Sequence, residues 1–218
     1  MAIRYAVIGL GNFGSWVVRT LNELRQDTIA IDIDKDRVQK IRDYTSTPVL
    51  ADATRKENLI SLGINEMKAA VVSLGDNTSA ATLITLYLQE MGVSQIIVKA
   101  VDEDHGKILK KVGATDIIFP EKDMGVKVAK SLVMPNILEF IDMSEDFQIA
   151  EIAPPNDFVG KSLAQLALPQ RYNVQVIGIR ELIPERFTIV PMGDFIVKDS
   201  DILVVIGRGS NINRIKSY

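Results

Sequence analysis

The 218-residue chain is expected to fold as an α/β protein: a Rossmann-like, doubly wound parallel sheet, then a second, smaller α+β domain. Three observations lead there. Six short β-branched runs, each followed by a helical stretch, fill residues 1–134. Those runs carry adjacent apolar residues, as strands do when helices cover both faces. After Pro135 the rhythm changes to closely spaced strand-like segments. Regular alternation of the first kind argues for a parallel sheet.

The pairs run in order. IRYAVIG (3–9) precedes NFGSWVVRTLNELR (12–25), and TIAIDI (28–33) precedes DKDRVQKIRDY (34–44). PVLA (48–51) precedes ATRKENLISLG (53–63), and AAVVSLG (69–75) precedes NTSAATLITLYLQEMG (77–92). QIIVKA (95–100) precedes DEDHGKILKKVG (102–113), and DIIF (116–119) precedes EKDMGVKVAKSLV (121–133). Gly63, Gly92 and Gly113 suit left-handed helix caps. Residues 135–146, with NILEFIDMSED, read as a crossover helix and linker. The second domain covers 147–218. There FQIAEIA (147–153), VQVIGIREL (174–182), FTIVP (187–191), DFIVK (194–198) and DILVVIGRG (201–209) read as strands. GKSLAQLAL (160–168) and SNINRIKS (210–217) read as short helices.

Composition narrows the function. The chain has no cysteine, which excludes disulfides, thiolate metal sites and cysteine nucleophiles. A hydrophobic fraction of 47% supports a sizeable core. The net charge of −3 gives no overall basic footprint for nucleic acid. No apolar run approaches the roughly 18 residues of a membrane helix. The chain enters a strand-like run at once, without a leader, so a cytoplasmic protein is expected.

The chemistry concentrates at GLGNFG. Gly9 would make the tight turn, Gly11 would let the backbone reach a pyrophosphate, and Gly14 would let helix pack on strand. The helix N-terminus then offers free N–H groups and a positive dipole to phosphate. Asp32, at the end of the second run, is placed to accept hydrogen bonds from ribose hydroxyls and to repel a 2′-phosphate. Asp52, in LADAT, reads two ways: a neighbour of the adenine or, like Thr54, a helix cap. SLGDN (73–77) either borders the ribose and phosphates or is a plain loop capped by Asp76 or Asn77.

A catalytic apparatus is harder to find. His105, the single histidine, reads as a solvated surface residue. Lys99 and Glu121 both lie near the carboxyl edge of the sheet. They form either a catalytic pair or an interface ion pair, and the second reading is preferred. A cradle without evident chemistry points to a sensor. An NAD-dependent oxidoreductase is the alternative. An NAD-sensing repressor would need a basic DNA-binding domain, which neither half offers.

GLGNFG, AIDID, LADAT, VVSLGDN, IIVKA and above all IIFPEKDMGVKVAKSL (117–132) occur in an order and spacing similar to one family. The tail, with FVGKSLAQLALPQRYNVQVIGI (158–179) and DSDILVVIG (199–207), continues the likeness. The chain resembles the cytoplasmic gating subunits of Ktr/Trk-type potassium transporters, the RCK proteins. The resemblance implies a nucleotide-sensing regulatory subunit, not an enzyme. It would form dimers that assemble into a ring, commonly an octamer, peripheral to the inner face of the membrane. The ring would gate a separate membrane subunit that carries potassium. The ligand would be an adenine nucleotide, ATP or ADP in Ktr-type members and NAD or NADH in Trk-type members. The C-terminal module would mediate dimer contacts and, in some relatives, bind a second ligand such as cyclic di-AMP.

By position, Gly9, Gly11 and Gly14 match the family's phosphate loop, Asp32 its ribose acid and Asp52 its adenine neighbour. The expected nucleotide contacts are Gly9, Gly11, Asn12, Phe13, Gly14, Asp32, Asp52, Ala53, Thr54, Leu74, Gly75 and Lys99. Glu121 matches an acid associated with a divalent cation at a subunit interface. Asn12 departs from the family: Ktr-type relatives often carry there an arginine that reaches the terminal phosphate. That leaves ADP, AMP or NAD as open as ATP, unless a neighbouring subunit supplies the charge. Val126, Ala129, Val133, Ile137, Leu138 and Ile141 recur at helical spacing. They would pack on their own sheet or, as the resemblance implies for the second segment, cross to a partner.

Overall fold

The computed structural model describes residues 4–133, 137–144 and 146–215. Ile3 of the first expected strand, the junction at 134–136, Glu145 and residues 216–218 of the expected last helix lie outside the described residues. The chain divides into two compact units, residues 1–123 and 124–218.

The first unit is the expected parallel sheet. Its strands are β1 (Tyr5–Ile8), β2 (Thr28–Asp32), β3 (Thr47–Leu50), β4 (Ala69–Val72), β5 (Gln95–Lys99) and β6 (Asp116–Ile118). They lie in the order β3-β2-β1-β4-β5-β6, with every pairing parallel. Helices α1 (Asn12–Glu23), α2 (Lys35–Ile41), α3 (Lys56–Ser61), α4 (Thr78–Glu90) and α5 (Glu103–Val112) connect them. The direction of winding reverses between β1 and β4, which leaves a crevice beyond their carboxyl ends. Two apolar layers hold the sheet. Ile8, Ile31, Leu59, Ile64, Ile84, Leu88 and Ile96 fill the larger, and Val7, Val18, Ala30 and Ile41 the other. Each large side chain fully buried there contributes about 1.5–3 kcal/mol. Side chains cap three of the helices. Asp34 accepts from Asp36 N, Asn77 from Ala80 N and Asp102 from His105 N. Gly63 and Gly92 take left-handed φ values of +68° and +76° as expected, whereas Gly113 lies at +125°.

The first unit ends inside α6 (Pro120–Val133). The second unit is built on an antiparallel sheet of β7 (Ile137–Asp142), β8 (Phe147–Ile152), β9 (Val174–Leu182), β10 (Glu185–Ile189) and β11 (Asp201–Arg208), ordered β10-β9-β11-β8-β7. Short helices α7 (Leu163–Leu166), α8 (Leu168–Tyr172) and α9 (Gly209–Ile212) accompany it. Phe158, Ile152, Leu166, Leu168, Val174 and Val205 lie in its core. A capping box between Ser162 and Gln165 starts α7.

Two expectations fail here. The expected crossover helix in NILEFIDMSED is strand β7, paired antiparallel with β8 of the same chain. A bulge between Ile137 and Glu139 explains the misreading. It lets Ile137 and Phe140 reach the same core, whereas Leu138 and Ile141, read with Ile137 at helical spacing, do not. Leu138 and Ile141 face out. DFIVK is not a strand of the sheet: Ile196 makes only an isolated bridge to Ser162, and Val197 is anchored by backbone bonds to Gly160 and Lys161. Of the apolar positions on α6, Val126 and Val133 stay exposed.

Candidate functional site

Gly9 follows β1 and donates its N–H to Ile31 O at 2.8 Å. Its φ is +93°, and a Cβ there would stand 2.1 Å from Ser73 O. A Cβ on Gly14 would stand 1.9 Å from Gly9 O. The fold itself therefore demands these two glycines. Gly11 is different. A Cβ there would meet only Arg37 Nη1, at 4.0 Å. Gly11 precedes α1 as its N-cap, without a side-chain hydrogen bond, and the first turn carries no acid. Space thus lies open over N–H groups that no side chain satisfies.

Asp32 ends β2 beside this loop and is only 6% exposed. Its Oδ2 accepts from Leu10 N at 2.6 Å and its Oδ1 from Asp34 N at 2.8 Å. Each oxygen keeps a second lone pair for a ligand hydroxyl. The carboxylate therefore shapes the glycine loop as well as facing the crevice. Gly9, Asp32, Asp52, Ala53, Thr54, Leu74 and Asn77 line one cleft with Ile8, Ile31 and Ile33.

Asp52 does not cap α3, and neither does Thr54; the N-cap is Arg55. Asp52 Oδ1 instead accepts from Thr54 N at 2.9 Å and from Thr54 Oγ1 at 2.6 Å, closing a turn that aims Ala53 and Thr54 into the cleft. The Thr54 hydroxyl, and next its amide, hold the Asp52 carboxyl below its usual 3.8; burial opposes them and the Arg55 charge adds to them. A lowered carboxyl stabilises the fold above the unfolded value, and that contribution disappears as pH falls through the lowered one. In a carbon-13 NMR titration, Asp52 should therefore titrate below 3.8, and Thr54→Val should move its midpoint upward. An unmoved midpoint would show that the Thr54 hydroxyl does not hold the proton off. In the loop after β4, Asn77 caps α4 and also lines the cleft.

Residues 5–120 match the TrkA-N domain family and residues 147–218 the TrkA-C domain family. The chain belongs to the TrkA-N/TrkA-C family. The Ktr system potassium uptake protein A of Bacillus subtilis is 36% identical over 214 residues, 98% of this chain and 96% of the relative. Among solved structures, the GsuK RCK domain superposes with a TM-score of 0.69 at 18% identity, over 99% of this chain and 48% of that one. The GsuK channel bound to NAD gives a TM-score of 0.66 at 18% identity, over 97% and 38%. These two likenesses concern the fold.

Not every expected contact of this TrkA-N domain joins the cleft. Gly11, Asn12, Phe13 and Gly14 open α1 outside the cleft lining, and Gly75 is an exposed turn residue with φ +60°. Lys99 and Glu121 pair with each other where β5 meets α6. That hydrogen bond from Lys99 lowers the Glu121 carboxyl below its usual value. Among the described residues no group of three or more His, Asp or Glu is arranged to hold a metal ion. His105 is not solvated as expected. It is 6% exposed, and its Nδ1 lies 3.4 Å from the Val101 N–H. It sits between α4 and α5, away from the cleft, so packing of the helix pair overrides its charged sequence neighbours.

Sequence reasoning missed several neighbours of the cleft, among them Ile33 and Arg37. Ile33 lines the rim although 71% exposed. Arg37 reaches back to within 3.6 Å of both Asp32 and Asp34. The i,i+3 spacing of Asp34 and Arg37 in DKDR is the signal that could have found it.

Proposed function

We propose that this chain is a cytosolic regulatory subunit that senses an adenine nucleotide and gates the membrane subunit of a Ktr-type potassium uptake system. The observation that carries it is the open space at Gly11. The turn and the helix packing account for Gly9 and Gly14, whereas no neighbour crowds Gly11, whose backbone stays open to a ligand. The adjoining carboxylate suits a ribose, and the free helix N–H groups suit phosphate. The near full-length likeness to a potassium uptake protein supports the rest.

In this reading the subunits assemble into a ring, and nucleotide exchange biases the ring between two shapes. A nucleotide shifts that equilibrium only by binding one shape better. Coupling of about 1–3 kcal/mol per site, repeated around a ring, suffices to gate a pore. Glu121 would reach a divalent cation only by leaving Lys99 or sharing the ion with a neighbouring subunit. A second ligand such as cyclic di-AMP belongs to the TrkA-C unit.

Calorimetric titration with ATP, ADP, NAD and NADH, alongside light scattering for assembly size, tests the proposal. Tight binding of at least one nucleotide, weakened tenfold or more by Gly11→Val, is expected. A well-folded protein that binds none of the four would end the sensor reading.

A further inference from the structure

We infer that Arg37 gates the ribose site and, once displaced, becomes the cation that reads the nucleotide's phosphates. This rests on the nucleotide-binding reading above and names what the site selects. The guanidinium stands between the two groups that a nucleotide must engage. Its Nη1 lies 3.6 Å from Asp32 Oδ2, and its Nε lies 3.6 Å from Asp34 Oδ2. The same Nη1 is the atom that comes to 4.0 Å of a Cβ built on Gly11.

Competition follows from the acceptor inventory. Asp32 Oδ2 already takes the Leu10 N–H, so Arg37 approaches the side of that oxygen left for a ligand. A ribose hydroxyl that donates to Asp32 must share that side or displace the guanidinium. Displacement costs little, because the Arg37 side chain is 53% exposed to water and stands 3.6 Å from the buried Asp32 carboxylate, beyond hydrogen-bond length. The freed guanidinium then has an anion at hand. Phosphates lying over Gly11 are within its swing, and its planar fork of donors matches phosphate oxygens. The loop itself supplies no charge, since residues 9–15 read GLGNFGS. Arg37 thus opposes the nucleoside part of the ligand and favours the phosphate part. The ligand class it selects is an adenosine phosphate, against adenosine itself.

The test titrates the full-length protein with ADP and with adenosine, using the native chain, Arg37→Gln and Arg37→Lys. Arg37 is exposed on the first turn of α2, so unchanged thermal midpoints should confirm intact folding. Arg37→Gln should bind ADP about tenfold more weakly yet adenosine equally or more tightly. Arg37→Lys, which keeps the charge but loses the fork, should fall between. Added salt should weaken ADP binding to the native chain more than to Arg37→Gln. Equal weakening of both ligands by Arg37→Gln would make Arg37 a mere support of the loop and overturn the inference. Unchanged ADP binding would overturn it as well, and in both cases nucleotide binding itself would stand. Failure of the native chain to bind either ligand would overturn this inference together with the reading beneath it.

Discussion

Gly9→Ala should destabilise the first unit by on the order of 3 kcal/mol or more and abolish nucleotide binding. Two costs add. The residue sits at φ +93°, where a side chain is strained. Its Cβ would also lie 2.1 Å from Ser73 O and 2.7 Å from Ser73 C, both backbone atoms. Neither side can retreat easily. Ser73 N is bonded to Ile8 O at 2.8 Å, and Gly9 N to Ile31 O at 2.8 Å, so the loop is tied to both neighbouring strands. Trp16, the single tryptophan, lies in α1 and reports on this unit alone in urea unfolding followed by fluorescence. Gly11→Ala supplies the contrast. It meets open space, so its unfolding midpoint should match the native chain within about 0.5 kcal/mol while its nucleotide affinity drops. If Gly9→Ala and Gly11→Ala proved equally stable, the close approach of Gly9 to β4 would be wrong.

Asp32→Ala should both unfold more easily and lose the ribose contact. The alanine leaves the buried Leu10 N–H without its 2.6 Å acceptor and the Asp34 N–H without its 2.8 Å one. A buried donor left unsatisfied costs about 1–3 kcal/mol. At this chain length each kcal/mol lowers the thermal midpoint by about 2–4 °C. A drop of about 2–12 °C is therefore expected, together with loss of detectable ADP and NAD binding. Asp32→Asn keeps one acceptor oxygen but turns an amide donor toward one of the two N–H groups, so it should recover only part of the stability. Lost binding at an unchanged midpoint would mean that Asp32 serves the ligand alone and that Leu10 N–H finds another partner.

Most of the first unit was legible because its signals are local and repeat. Strand runs such as TIAID, buried along their whole length, read as two-faced strands. The three glycines and Asp32 lie at fixed offsets from a strand end, and the fold sets the Asp32 carboxylate against the glycine loop at Leu10 N. Other readings failed where a long-range contact outweighed a local pattern. Ile137, Leu138 and Ile141 have helical spacing, yet pairing with β8 makes the segment a strand in which Ile137 joins the core and the other two face out. DFIVK has the composition of a strand, yet it stays outside the sheet, bonded to Gly160, Lys161 and Leu163 around an isolated bridge at Ser162. His105 has charged neighbours in sequence, but it is buried beside the groove between α4 and α5.

By itself the sequence determined the alternation that makes a parallel sheet, the place of the glycine loop and the acid 18 residues beyond Gly14. These follow from side-chain period, turn chemistry and chain order, which act over a few residues. The tertiary structure decided which glycine is free for a ligand, since only the approach of Ser73 and the Gly9 carbonyl separates Gly9 and Gly14 from Gly11. It also decided that Asp32 holds the glycine loop through Leu10 N. Arg37 entered the site the same way. Distances across the crevice depend on how α2 and β4 pack beside β1, and no local pattern in the chain carries that packing.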